Sequence, residues 1–147
     1  MAESWQANLV DDDAGIKQIL KETKRIAVLG IKPESHSGQP AFYVPKALAA
    51  AGYEILPVPV YYPEITTILD REVYRSLTKV PGPIDMVNVF RRPQDVPQHL
   101  EELLAVKPKT VWMQSGISHP EVAEKLARAG IKVVQDRCLM VEQRRLG

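Results

Sequence analysis

Residues suited to holding an anion recur in this chain, each group directly after a short apolar run. The first run, RIAVLG over residues 25–30, opens into IKPESHSGQP, a loop containing Gly30, Lys32, Ser35, His36, Ser37, Gly38 and Gln39. A buried strand that passes through a small-residue loop into a helix offers a phosphate backbone N–H groups and the positive end of a helix dipole, and the Lys32 ammonium would add charge. The expected ligand is a nucleotide. The G-x-G-x-x-G dinucleotide fingerprint is absent, because Ile31 and Lys32 follow Gly30 and the next glycine is Gly38. The same stretch also reads as a plain polar connection, and only its place after the first strand favours phosphate.

The end of the second run bears on which nucleotide. Domains that bind NAD place an Asp or Glu about 20 residues past the glycine loop to hold the ribose hydroxyls. Here the sequence reads Leu56, Pro57, Val58, Pro59, Val60, Tyr61, and Glu54 lies at the start of the run. An apolar, proline-bearing lip suits an adenine face, and equally a turn that ends a strand. The third run closes on Asn88, Val89, Phe90, Arg91, Arg92 and Pro93, where a guanidinium can pair with phosphate or with a surface carboxylate. After the fourth come Gln114, Ser115, Gly116 and Ile117, where Gly116 permits close backbone approach or forms the turn before a helix.

The fifth run leads into Asp136, Arg137 and Cys138, the only cysteine. No base can be placed beside it, so a structural role is expected rather than a catalytic one. His36, His99 and His119 lack metal-ligand spacing, and no metal site is expected.

These groups need a scaffold. The five runs, RIAVLG at 25–30, YEILPV at 53–58, IDMVNVF at 84–90, TVWMQ at 110–114 and IKVVQ at 131–135, are short and rich in β-branched residues, as strands buried on both faces of a parallel sheet require. Helical patterns separate them. Asp11 to Asp13 can cap a helix through AGIKQILKET with Ile16, Ile19 and Leu20 on one face. A second helix from about Phe42 ends at Gly52 and would hold Pro45 in its first turn; others are expected over 95–106 and 119–130. The stretch 58–83 is proline-punctuated, with a short helix expected at about 71–77. The alternation predicts an α/β fold: a three-layer, doubly wound Rossmann-like domain with a five-stranded, mainly parallel sheet. Counted along the chain, the runs are expected in the order 3-2-1-4-5, with a ligand at their carboxyl ends.

With 147 residues, 45% of them hydrophobic and 25% charged, one domain over 1–147 is expected, with 1–12 as an N-terminal extension. A net charge of +1 gives no field for nucleic acid or an anionic membrane. The lone cysteine fits a reducing compartment, and neither a signal segment nor a membrane span is legible, so a cytoplasmic protein is expected.

LGIKP, VPV, VNVFRRP, WMQSGI and DRC, in that order, resemble the small stand-alone CoA-binding proteins, whose domain is similar to the N-terminal CoA-binding domain of the succinyl-CoA synthetase α subunit. The resemblance covers about residues 12–145 and implies a Rossmann-like domain that binds coenzyme A. By position it assigns Gly30, Ile31, Lys32 and Pro33 to the first loop, Val58 and Pro59 to the adenine lip, Phe90 and Arg91 to the third strand's end, and Gln114 and Gly116 to the fourth's. Lys46 and Arg92 are less firmly matched. Lys32 and Ala41 stand where family members often carry serine, exchanging hydroxyl donors for a charge. The synthetase's phosphohistidine domain and partner subunit have no counterpart, so the reading is a CoA or acyl-CoA binding module without catalysis of its own, with a protein partner left open. The alternatives are a small NAD(P)-linked or CoA-dependent enzyme and a redox-sensing nucleotide-binding module.

Overall fold

The computed structural model describes residues 4–147. Five strands, β1 (Arg25–Leu29), β2 (Glu54–Val58), β5 (Met86–Val89), β6 (Thr110–Met113) and β7 (Lys132–Val134), form one parallel sheet, and β3 (Thr67–Ile68) with β4 (Arg71–Glu72) forms a separate antiparallel hairpin. Side chains alternate across the sheet, as a period of two dictates. Leu29, Leu56, Val87, Val111 and Val133 join one apolar cluster; Ile26, Val28, Ile55, Met86, Trp112 and Val134 join the other. Helices α3 (Leu100–Val106) and α4 (Pro120–Arg128) cover the first face, with Leu103, Val122 and Leu126 in its cluster. The second face is covered by α1 (Asp13–Glu22), α2 (Pro40–Ala50) and α5 (Leu139–Leu146), through Ile16, Ile19, Phe42, Leu48 and Leu139. The three-layer α/β class expected from the sequence is therefore present.

The strand order differs from the expected one. It is β2-β1-β5-β6-β7, which in the counting of the five runs is 2-1-3-4-5. The third run pairs with the first because the outer edge of β2 is already occupied by its own continuation. The Tyr74 N–H donates to the Pro57 carbonyl at 2.9 Å, and Arg71 on β4 lies 3.5 Å from Glu54. With that edge covered, β5 takes the other side of β1, and the reversal of winding falls between β1 and β5.

Several local expectations shift as well. No helix forms at 71–77. Leu69 and Asp70, both at positive φ, turn the β3–β4 hairpin, and a 3-10 turn follows at Leu77–Lys79. The segment expected as one helix over 95–106 begins as a 3-10 turn, Pro93–His99, because Pro93 and Pro97 withhold backbone donors, and only then becomes α3. Helix α2 starts at Pro40 rather than Phe42, which moves Pro45 from the first turn into the interior. Lacking an N–H, Pro45 cannot bond the Ala41 carbonyl, and that carbonyl accepts instead from the Lys32 N–H at 3.1 Å. The proline thus ties the first loop to α2.

Helix α1 is capped by Asp12, which accepts from the Gly15 N–H at 3.0 Å. Helix α5 adds to the expected elements: Cys138 at its N-cap makes no side-chain capping bond, and nothing else in the sequence announces its start. Preceding α1, a 3-10 turn at Trp5–Asn8 and a parallel bridge from Leu9 to Val133 cover the outer edge of β7. No helix of the described residues is long and apolar enough to cross a membrane.

Candidate functional site

The register aligns Leu29 with Val58 and Val89, and Val89 with Met113, so the loops after β1, β2, β5 and β6 all leave from one end of the sheet. A cleft of about 610 Å³ opens there. Its walls come from the first loop and the start of α2 (Lys32, Gln39, Pro40, Ala41, Tyr43, Val44), from the end of β5 (Phe90, Arg91, Arg92, Pro93), from the end of β6 (Gln114, Ser115, Gly116, Ile117), and from Cys138. Five of the ten residues expected from the sequence meet in it: Lys32, Phe90, Arg91, Gln114 and Gly116.

The other five do not line it. Gly30 has φ +90°, and a Cβ there would sit 2.3 Å from the Phe90 carbonyl oxygen. The glycine lets the ends of β1 and β5 close on each other, with Gly30 N–H donating to Val58 O at 2.9 Å and Phe90 N–H to Leu29 O at 2.8 Å. Ile31, Pro33, Val58 and Pro59 are buried. Lys46 is exposed and not part of the lining, whereas Arg92 lines the rim.

The electrostatics of the α2 wall favour an anion. Gln39 is the N-cap without a capping side-chain bond, Pro40 holds the first helical position, and no acidic residue occupies the first turn. The macrodipole of this 11-residue helix is therefore not neutralised by a carboxylate. Lys32 Nζ donates to Gln39 Oε1, which holds the ammonium at the same wall.

The two arginines, equal in the sequence, are unequal in the fold. Arg92 is 71% exposed and pairs with Asp95 at 2.9 Å. Arg91 is 8% exposed, donates Nε–H to His99 Nε2 at 3.1 Å, reaches the Tyr61 hydroxyl with Nη1 at 3.4 Å, and holds its guanidinium 5.5 Å from the Tyr61 ring centre. Its Nη2 lies 3.9 Å from Asp95, beyond hydrogen-bond distance.

On the β6 side Gln114 is 4% exposed. Its Oε1 accepts from Asn88 Nδ2 and from the Leu139 N–H, both at 3.2 Å. With the carbonyl end so held, the Nε2 end makes no hydrogen bond among the described residues, and Gln114 is part of the cleft lining. Fully buried Asn88 keeps its own Oδ1 without a partner. Asp136 accepts from the Gly116 N–H at 2.6 Å and fixes that turn, and Arg137 bridges Asp11 and Glu142 at 2.9 and 3.6 Å. Of the DRC segment, then, Asp136 and Arg137 serve the architecture and Cys138 faces the cleft. Among the described residues no group of three His, Cys, Asp or Glu side chains could hold a metal ion. His119 caps α4, its Nδ1 accepting from the Val122 N–H at 3.2 Å.

The sequence offers His99 only as a metal ligand without ligand spacing and gives no signal for Glu102, which contacts His99 behind Arg91, or for Tyr43 and Val44 in the α2 wall. His99 lies within an apolar helical pattern, and only its contact with Arg91 shows a role.

The chain is similar to proteins of comparable length. An uncharacterized protein of Bacillus subtilis, YneT, is 39% identical over 128 residues, 87% of this chain and 91% of its own. A Thermus thermophilus structure, cell-free ID.343, superposes with a TM-score of 0.85 at 42% identity, over 93% of this chain and all of that one. A hypothetical protein from Pyrococcus horikoshii OT3 gives a TM-score of 0.83 at 31% identity over 99% of both chains. The family model of the CoA binding domain matches residues 24–144, which include every cleft residue named above, and the chain belongs to that family.

Proposed function

We propose that this protein binds coenzyme A or an acyl-CoA in the cleft at the carboxyl ends of β1, β5 and β6, and performs no chemistry on it alone. The observation that carries the reading is the gathering of anion-binding groups on a near-neutral chain: an α2 start free of carboxylates, Lys32 and the buried Arg91 line one cleft of about 610 Å³, with Arg92, paired to Asp95, at its rim. Coenzyme A brings a pyrophosphate and a 3′-phosphate to such a site, and family membership agrees. NAD is disfavoured because the end of β2 carries no acidic side chain for a ribose. Glu54 is at the far end of that strand, 3.3 Å from Arg25. In this reading Val58 and Pro59 shape the β2 end against which the adenine rests, Gly30, Ile31 and Pro33 set the path of the first loop, and the Gln114 amide and Gly116 border the pantetheine.

Titration calorimetry of nucleotide-free protein at fixed ionic strength, with CoA, acetyl-CoA, dephospho-CoA and NADH in turn, tests it. Saturable CoA binding that weakens without the 3′-phosphate is expected; saturable NADH binding with no response to CoA would replace the reading. An acyl-CoA-dependent enzyme is the second reading, drawn from Cys138 in the cleft wall. No histidine belongs to that wall to serve as its base. Acyl-CoA turnover that vanishes in Cys138→Ser would establish it.

A further inference from the structure

We infer that His99 and Glu102 are positioning residues that hold Arg91 toward the ligand's phosphate, and so decide which of the two adjacent arginines binds it. This rests on the CoA reading above. The geometry is a chain of hydrogen bonds running from fixed backbone to the cleft. Glu102 on α3 accepts from the Leu77 N–H through Oε1 at 2.9 Å and contacts His99 Nδ1 through Oε2 at 2.7 Å. Nε2 of the same imidazole contacts Arg91 Nε at 3.1 Å. A guanidinium can only donate, so Nε2 is the acceptor, the ring proton sits on Nδ1, and Glu102 accepts it. Each link fixes the orientation of the next. His99 is 7% exposed and Arg91 8%, so water does not compete freely for either.

The alternative open to Arg91 explains why it needs holding. Asp95 stands 3.9 Å from its Nη2 and already binds Arg92 at 2.9 Å. Without an acceptor on its Nε side, the Arg91 guanidinium can rotate onto this carboxylate, as Arg92 has done, and turn its N–H groups away from the cleft. The His99 bond on one edge and the Tyr61 ring on one face oppose that rotation and leave Nη2 free of hydrogen bonds for a phosphate oxygen. Gln98 approaches the same imidazole nitrogen only at 3.5 Å, so Arg91 is its principal partner.

The test is a double-mutant cycle on CoA affinity with Arg91→Met, His99→Leu and the double variant, each checked for folding by thermal melting. His99→Leu is expected to weaken CoA binding about tenfold, the scale of losing one charge-assisted contact. In the Arg91→Met background the same change should have no further effect, because His99 acts through Arg91. Equal fold losses in both backgrounds would overturn the inference and assign His99 to packing alone. Should His99→Leu fail to fold, Glu102→Gln serves in the same cycle, since it keeps the side chain's size and an oxygen for the Leu77 N–H while removing the charge. Its expected loss of affinity is severalfold, and again absent when Arg91 is Met. Wild-type protein that binds no CoA would end the CoA reading itself. CoA binding that is weakened by Arg91→Met yet untouched by both His99→Leu and Glu102→Gln would end only this inference.

Discussion

The two ends of the parallel sheet treat polar groups in opposite ways. At the amino end they are paired within the protein: Asp85 Oδ2 accepts from the Lys24 and Arg25 N–H groups, both at 2.9 Å, while Arg25 donates to Glu54 and to the carbonyls of Pro81 and Pro83. At the carboxyl end, three side chains are held in place with one polar atom of each left unbonded. Asn88 Oδ1 is buried without a partner, Gln114 is fixed by its oxygen with its nitrogen unbonded among the described residues, and Arg91 is fixed by Nε with Nη2 unbonded. Unpaired buried polar groups cost stability. The difference agrees with the proposal that the carboxyl end takes the ligand while the amino end secures the fold.

Breaking the wall that supports the site should give the largest effect. Gly30→Ala forces a side chain into a φ of +90° and against the Phe90 carbonyl, and is expected to destabilise the fold by about 3 to 5 kcal/mol in denaturant titration. Next, Asp85→Ala at the opposite end strips two backbone N–H groups of their acceptor and should cost about 2 kcal/mol of unfolding free energy. CoA affinity of the folded protein should stay at the wild-type value; a parallel loss would erase the distinction between the ends.

Gln114→Glu sharpens the comparison from the site's side. A carboxylate still accepts from Asn88 and Leu139, but it removes the amide donor and adds negative charge at the cleft. We expect the CoA affinity of the folded variant to fall about tenfold, near 1.4 kcal/mol. The smallest effect concerns acid. The Glu102 carboxyl is held below its ordinary value of 4.5 by the His99 hydrogen bond, against the opposing effect of burial and with help from the Leu77 N–H. A carboxyl with a lowered folded-state pKa contributes stability above its unfolded value, and that contribution is lost as pH falls through the folded one. The stability difference between wild type and Glu102→Gln should therefore be present at neutral pH and shrink below pH 4.5. A difference that does not vary with pH would show that the carboxylate charge is not what holds His99.

The sequence made the strands legible because burial on both faces demands short, β-branched runs, and RIAVL, EILPV, MVNV, TVWM and KVV all meet that demand. It also made legible that Lys32, Arg91 and Gln114 would line one cleft, since each follows a strand and parallel strands send their ends to one side. Periodicity carried less information where prolines interrupt it. At 58–83 and 93–99, backbone donors are missing, and the chain takes hairpins and 3-10 turns that depend on partners distant in sequence, such as Pro57 for Tyr74.

What the sequence by itself determined was the fold class, the helix capped by Asp12, the absence of an acidic ribose ligand at the end of β2, and the four loops from which a site would be built. Those features are written in local spacing and residue type. Only the tertiary structure decided that β5 pairs with β1, that Pro45 frees the Ala41 carbonyl for Lys32, and that Arg91 rather than Arg92 is drawn inward by His99 and Glu102. Each of these is settled by which hydrogen-bonding group finds a partner across the fold, and no one-dimensional pattern fixes that pairing.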